Sequence, residues 1–123
     1  MHPPRFPLLA LLASLGTLPA QSPGDVKVTP DIVYATYGAR QLKLDIYRPQ
    51  AATKPLPGIV VIRGGGWRRG DKQGFADLAR NLAAKGFVTA CIEYRVLPEV
   101  QFPDPVYDTK AAVRQNTRKD DAR

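Results

Sequence analysis

Two neighbouring stretches near the start of the chain have the pattern of paired β-strands. The run Gln41–Tyr47 alternates apolar and polar residues, which predicts a strand with one buried face and one wet face. The run Asp31–Tyr37 precedes it across residues 38–40, a short segment that begins with a glycine. Two strands joined by so short a turn predict a β-hairpin.

The middle of the chain changes from a strand pattern to a helix pattern and back again. The run Ile59–Ile62 is continuously β-branched, which suits a strand buried on both faces in a parallel sheet. From Phe75 onward, apolar residues recur at i, i+3, i+4 and i+7, so Gly74–Lys85 is predicted to be an amphipathic helix. Phe87–Tyr94 is mostly apolar again and predicts a second buried strand. Strand, helix and strand together predict a βαβ unit, and therefore an α/β fold.

The last third of the chain predicts a loop, a helix and a tail. Arg95–Asp104 contains two prolines and is expected to be an ordered loop. Asp104-Pro105 is a favourable helix start, with an acceptor at the N-cap followed by proline at the first helical position. We expect this helix to end at Arg114. Residues 115–123 contain no apolar residue except Ala122 and are expected to be disordered.

The first 20 residues have the pattern of a signal peptide. Arg5 and the amino terminus give a positive start, and Phe6–Leu18 is apolar and uncharged. Pro19-Ala20 then precedes polar residues, so cleavage is expected after Ala20. The apolar segment is too short to span a membrane. We therefore expect an exported protein, periplasmic or secreted, with a single domain that begins near residue 25.

Composition narrows the function classes that this chain of 123 residues could belong to. A hydrophobic content of 44% and a charged content of 24% are typical of a globular domain. The net charge is +7, but the basic residues are scattered and no aromatic residues interleave with them, which argues against nucleic-acid binding. Cys91 is the only cysteine, so no intramolecular disulfide can form, and its place within a predicted strand indicates a core residue.

Three consecutive glycines, Gly64, Gly65 and Gly66, follow the β-branched strand after Arg63. Without Cβ atoms, positive φ becomes available and several backbone N–H groups can point at one acceptor. The expected ligand is an anion, or an oxygen atom that becomes negatively charged during a reaction. The spacing Gly64, Gly66, Gly70 has one residue too many for a dinucleotide fingerprint, and a Walker P-loop would need Lys and then Ser or Thr after the last glycine.

The segment from Ile59 to Asp71 resembles the oxyanion-hole segment of the α/β-hydrolase superfamily, in its esterase and lipase branch of BD-FAE-like carboxylesterases. Further similarity to that family is carried by Glu93–Glu99, Phe102-Pro103, Asp108 and Ala111–Arg114. The resemblance runs from about Tyr34 to Arg114, and it implies the N-terminal part of an α/β-hydrolase fold with an incomplete sheet. That domain would comprise residues 25–114.

The same resemblance assigns roles within the glycine loop. It implies that Gly65 and Gly66 donate backbone N–H groups to the oxyanion and that Gly64 shapes the turn. The family's usual histidine is replaced here by Arg63, which either braces the loop or is simply solvated. Trp67 is interpreted as a packing anchor, with substrate contact as the alternative, and Asp71 is expected to cap or turn the loop into the next helix.

A serine esterase also needs a serine nucleophile, a histidine base and an orienting acid. The only histidine is His2, and the only serines are Ser14 and Ser22, so no G-x-S-x-G motif is present. We therefore expect a chain that is truncated or frame-shifted before the nucleophile and is inactive alone. The resemblance also implies that the Ile59 strand presents an apolar edge, with marginal stability as the consequence.

Two functions fit these observations. The first is an exported carboxylic-ester hydrolase that works through a serine acyl-enzyme on a small-molecule or polysaccharide-linked ester. The second is a non-catalytic exported module that binds a small anion or carbohydrate through the glycine loop. Neither function requires a cofactor or a metal ion, and the sequence does not indicate the oligomeric state.

Overall fold

A computed structural model describes residues 24–120, and the surroundings of side chains for residues 24–116. The predicted signal peptide, residues 1–20, lies outside the described residues. The elements in chain order are β1 (Val26–Tyr37), β2 (Arg40–Pro49), β3 (Gly58–Ile62), α1 (Ala76–Ala84), β4 (Val88–Ile92) and α2 (Asp104–Asp120). A single 3₁₀ turn over Gln73–Phe75 precedes α1.

The four strands form one mixed sheet in the order β1-β2-β4-β3. The predicted hairpin is confirmed, because β1 and β2 pair antiparallel up to Tyr37 and Arg40. The predicted βαβ unit is also confirmed, since β3 and β4 pair parallel on either side of α1 in the chain. β1 starts earlier than predicted, at Val26, because Val26–Thr29 also pairs with the end of β2. An irregularity in register separates this pairing from the one that begins at Ile32.

Both faces of the sheet are covered, so the fold has three layers. On one face, α1 contributes Ala79 and Ala83 to a buried cluster, in which they pack with Tyr47, Val61 and Cys91 of the strands. On the other face, α2 contributes to a cluster of Leu44, Ile92, Tyr94 and Ala112. Fully burying a side chain of leucine or isoleucine size stabilises a fold by about 1.5 to 3 kcal/mol, so these two clusters hold the helices to the sheet.

The prediction that one face of β2 is exposed to solvent is wrong for the second half of the strand. Asp45 and Tyr47 lie on the face that was expected to be solvated, yet they are only 7% and 4% exposed. The tyrosine is covered by residues of α1, and the carboxylate accepts a hydrogen bond from Lys72. The alternation of residues within a strand cannot reveal a helix that packs on it from elsewhere in the chain.

The helix α2 also differs from its predicted length. It was expected to end at Arg114 with a disordered tail from residue 115, but it continues to Asp120. Extending an existing helix costs far less than starting one, and Gln, Arg and Lys are good helix formers, so the polar sequence continues the helix without an apolar face.

Strand β3 lies at one edge of the sheet, and in the part of the chain described here it pairs only with β4. Its last residue, Ile62, is 46% exposed. The predicted apolar edge is therefore present in this fold, and such an edge is prone to pair with other chains. Within the described residues, neither helix is long and apolar enough to cross a bilayer.

Candidate functional site

The glycine loop leaves β3 at its carboxyl end, which is the side of an open α/β sheet where ligands bind. Gly66 and Trp67 both have a φ of +61°. The Arg68 N–H donates a hydrogen bond of 3.1 Å to the Gly65 carbonyl. Residues 65–68 therefore form a tight turn of left-handed backbone. A tryptophan in this conformation is uncommon and is strained by roughly 1 to 2 kcal/mol, so the surrounding contacts must hold it there.

The three glycines are not equivalent. A Cβ atom on Gly65 would lie 2.7 Å from the Cβ of Arg69 and 2.9 Å from its carbonyl oxygen. A Cβ atom on Gly64 or on Gly66 would meet nothing within 4 Å, although Gly66 needs its positive φ. Gly65 is therefore required by close approach of the backbone, and Gly66 by its conformation.

The loop borders a cavity of about 360 Å³. Within the described part of the chain, the backbone N–H groups of Gly65 and Gly66 have no hydrogen-bond acceptor. Both residues line the cavity, together with Ile62, Arg63, Gly64, Trp67, Tyr94, Val106, Thr109 and Lys110. The structure thus brings together the predicted loop residues and adds a wall from α2, which the sequence did not indicate.

Arg63 braces the loop, which decides between the two roles left open by the sequence. Its guanidinium forms an ion pair with Asp71, at the far end of the same loop. It also packs so closely on Gly74 that a Cβ there would lie 2.6 Å from its Cζ atom. Asp71 in turn accepts a hydrogen bond of 3.1 Å from the Gly74 N–H, so it turns the loop into the following helix as predicted. Partial burial alone would raise the pKa of Asp71, but this N–H and the Arg63 charge bring it below its ordinary value.

A second anchor holds the end of the loop to the hairpin. The Lys72 ammonium lies 2.9 Å from Asp31 and also donates to Asp45, and the Asp31 N–H donates to the same Asp45 carboxylate at 2.9 Å. Burial would lower the pKa of Lys72, but hydrogen bonds to the two carboxylates raise it above its ordinary value. Lys72 is therefore a charged structural link and is not a free base.

Tyr94 lies between the loop and the core. Its hydroxyl contacts the carbonyl of Arg63 and lies 3.2 Å from that of Arg69, while its backbone N–H donates to Gly70 at 3.1 Å. The rings of Trp67 and Tyr94 meet edge to face, with centroids 6.5 Å apart. Trp67 remains 50% exposed and lines the cavity, so it is placed both to pack and to meet a ligand.

Cys91 is a core residue, as predicted. It is 1% exposed, and burial followed by the nearby Asp45 charge raises the pKa of its thiol to about 11. A thiol with that pKa is almost entirely protonated at neutral pH and is a poor nucleophile. Among the residues that the structure describes, no three His, Cys, Asp or Glu residues are grouped so that they could hold a metal ion.

This sheet, with a glycine-rich loop at the end of β3, is the fold of α/β-hydrolase esterases. The chain aligns with esterase 2 of Thermogutta terrifontis with a TM-score of 0.67 and 32% identity, over 79% of this chain and 37% of that one. It aligns with brefeldin A esterase with a TM-score of 0.63 and 27% identity, over 80% of this chain and 28% of that one. These likenesses confirm the fold class that the sequence predicted.

A family model named BD-FAE matches residues 44–119, and the chain belongs to this family. Esterase LipC of Mycobacterium tuberculosis is 41% identical over 73 residues, which are 57% of this chain and 18% of LipC. A probable isoprenylcysteine alpha-carbonyl methylesterase of Oryza sativa subsp. japonica is 38% identical over 71 residues, 58% of this chain and 17% of that one. The chain therefore spans less than a fifth of the length of these relatives, which are named as an esterase and a probable methylesterase.

Proposed function

We propose that this chain provides the oxyanion-binding part of a carboxylic-ester hydrolase that acts through a serine acyl-enzyme. The observation that carries this proposal is the pair of unpartnered N–H groups of Gly65 and Gly66 at the wall of the cavity. Esterases among the similar proteins, LipC included, support the assignment to ester hydrolysis. We assign nucleophilic attack and proton transfer to none of the described residues.

The chemistry follows from where charge develops. When an alcohol attacks an ester, the carbonyl oxygen becomes an oxyanion, and preorganised N–H donors stabilise it more than they stabilise the ground state. Removing one such donor costs an enzyme about 3 to 4 kcal/mol of transition-state stabilisation. Because the donors are backbone groups, the presence of Arg63 in place of histidine leaves them intact.

The walls of the cavity suit a modest apolar substituent beside the ester carbonyl. Ile62, Trp67 and Val106 supply apolar surface, and the volume of about 360 Å³ lies at the low end of ordinary ligand sites. Thermogutta terrifontis esterase 2 has been solved phosphorylated by paraoxon, so that similar protein reacts covalently with an electrophile that mimics an ester. This supports a covalent intermediate in the proposed reaction.

The test is binding of a tetrahedral oxyanion analogue to the isolated chain. We expect methyl phenylphosphonate to shift the NMR signals of the Gly65 and Gly66 amides, because its charged oxygens imitate the reaction intermediate. Methyl benzoate, which is planar and neutral, should shift them far less, and hydrolysis of p-nitrophenyl acetate should stay at the buffer rate. Equal or absent responses to both probes would contradict the proposal, as would covalent labelling of the chain by a fluorophosphonate at any residue.

A non-catalytic anion or carbohydrate module is the second candidate. It is favoured by the charge of the cavity, since Lys110 lines one wall and no acidic residue is among the lining residues. In this case a small planar anion such as acetate should bind as tightly as the phosphonate. A preference for the tetrahedral probe would therefore separate the ester-hydrolase function from simple anion binding.

Export is the remaining part of the proposal, and it is carried by the uncharged apolar segment Phe6–Leu18 followed by Pro19-Ala20. We expect the mature chain to begin at Gln21. Expression in a bacterium with a C-terminal tag, followed by intact-mass measurement of the periplasmic and medium fractions, would check this. Replacing Leu11 and Leu12 with arginine should keep the full-length chain in the cytoplasm, and full-length chain in every fraction of the unaltered protein would contradict export.

A further inference from the structure

We propose that Tyr94 is a positioning residue that determines the direction of the Gly65 and Gly66 amides. This inference rests on the proposed function, because it concerns how the same N–H groups are aimed. In the sequence, Tyr94 stands out only as the last residue of a predicted strand and as part of a segment of family resemblance. The contacts of its hydroxyl, its backbone and its ring assign it a more specific role.

The hydroxyl group joins the two ends of the loop at one point. Arg63 precedes the glycine turn and Arg69 follows it, and the carbonyl oxygens of both residues lie against the Tyr94 hydroxyl, the second at 3.2 Å. One O–H proton is shared between these two acceptors. The hydroxyl therefore holds the Arg63 and Arg69 carbonyls close together on either side of the glycine turn.

The backbone and ring of Tyr94 make further contacts with the same loop. Its N–H donates to the Gly70 carbonyl at 3.1 Å, and a Cβ on Gly70 would lie 2.4 Å from the Tyr94 carbonyl oxygen. The ring edge contacts Trp67, which follows the two proposed donors directly. Loop residues before, within and after the glycine turn are therefore all attached to one residue.

Tyr94 is itself immobilised by the core. It is 5% exposed and belongs to the buried cluster that contains Leu44, Ile92 and Ala112. Two ion-pair anchors hold the base of the loop, the partly exposed Arg63–Asp71 pair and the largely buried Lys72–Asp45 pair. Tyr94 links the buried core to both sides of the turn, while the Leu97 N–H adds a hydrogen bond of 2.8 Å to the Trp67 carbonyl. Small misplacements of catalytic groups cause large losses in rate.

The experiment compares Tyr94→Phe with Tyr34→Phe in the full chain. Tyr34 is a matched control, because its partly buried hydroxyl also donates to a backbone carbonyl, that of Glu93, but does not touch the loop. The first readout is the NMR order parameter of the glycine amides after glycine-selective ¹⁵N labelling, and the second is affinity for methyl phenylphosphonate. Thermal unfolding of both variants measures the stability that each lost hydrogen bond removes.

We expect Tyr94→Phe to lower the order parameters of Gly65 and Gly66 from about 0.85 to below about 0.6, and to weaken phosphonate binding about tenfold. Tyr34→Phe should lose similar stability while leaving both readouts within about twofold of the unaltered chain. Identical loop order and affinity in the two variants would overturn the inference. A chain that binds no phosphonate, yet has a loop loosened only by Tyr94→Phe, would support the positioning role and refute the ester-hydrolase function instead.

Discussion

Replacing Asp108 with asparagine is expected to lower the free energy of unfolding by about 3 to 5 kcal/mol, because it leaves a buried cation without its partner. Asp108 lies in α2 and is 0% exposed. Its carboxylate accepts two hydrogen bonds from the Arg95 guanidinium, at 2.8 and 3.0 Å, and a third from the Arg95 backbone N–H at 3.0 Å. The neutral asparagine side chain keeps the shape of the carboxyl group but cannot accept all three.

The loss of stability in Asp108→Asn is increased because the Arg95 side chain is largely buried. The guanidinium lies 3.6 Å from the centre of the Tyr37 ring, and its side chain is 12% exposed. The hydrogen bond to Asp108 raises the pKa of Arg95 even though burial opposes it. In the variant that hydrogen bond is lost, but arginine stays charged because its ordinary pKa lies far above neutral. Asp108 therefore joins α2 to β1 and to the segment that follows β4 through a single ion pair.

Thermal unfolding followed by circular dichroism measures this loss. For a domain of about 100 residues, a loss of 3 kcal/mol corresponds to a fall in Tm of more than about 12 °C. Glu99→Gln is the control, because the Arg40–Glu99 pair is similar in chemistry but exposed, and such pairs contribute about 0 to 1 kcal/mol. Should Asp108→Asn melt within 3 °C of Glu99→Gln, the buried pair would not hold α2 to the sheet. Arg95→Met in the same background should recover part of the loss, because the unpaired cation is then removed.

Local sequence patterns predicted most of the elements, because each depends on neighbours in the chain. The alternation in Gln41–Tyr47 and the helical spacing from Phe75 act within single elements, and both elements formed where expected. The error on β2 arose where a distant element intervened, whereas α2 was predicted too short because a polar sequence can continue a helix that has already begun. The wet face predicted for β2 is covered by α1 and by Lys72, and neither could be inferred from the residues of the strand itself.

The candidate site divides in the same way. The glycine loop could be predicted, since it depends on three adjacent residues and on the strand before them. The contacts that hold the loop in place come from far along the chain: Tyr94 is 31 residues from Arg63, and Lys110 lies in α2. The motif Glu93-Tyr94-Arg95 was visible as a family resemblance, but only the fold shows that its tyrosine meets the loop and its arginine meets Asp108.

The second large effect is expected at Gly65, where replacement by alanine should abolish phosphonate binding and lower stability by about 1 to 3 kcal/mol. The added Cβ would be placed 2.7 Å from the Cβ and 2.9 Å from the carbonyl oxygen of Arg69. Both atoms are fixed by the backbone, so the loop must open to make room. Opening it turns the Gly65 and Gly66 N–H groups away from their shared direction and also pulls the Arg69 carbonyl from the Tyr94 hydroxyl.

Gly64→Ala is the matched control one residue earlier. A Cβ there meets nothing within 4 Å, so we expect stability within about 0.5 kcal/mol of the unaltered chain and unchanged phosphonate affinity. Gly66→Ala should fall between the two, since it has room for a Cβ but requires a φ of +61°, which costs alanine roughly 1 to 2 kcal/mol.

Urea unfolding and phosphonate titration of the three variants would establish this order. The three glycines are identical in residue type, and a merely flexible loop would tolerate alanine equally at each position. A rigid loop that is closed against Arg69 and held by Tyr94 must instead distinguish them sharply. Equal effects at Gly64 and Gly65 would therefore contradict both the close approach at Arg69 and the fixed pair of donors on which the proposed chemistry depends.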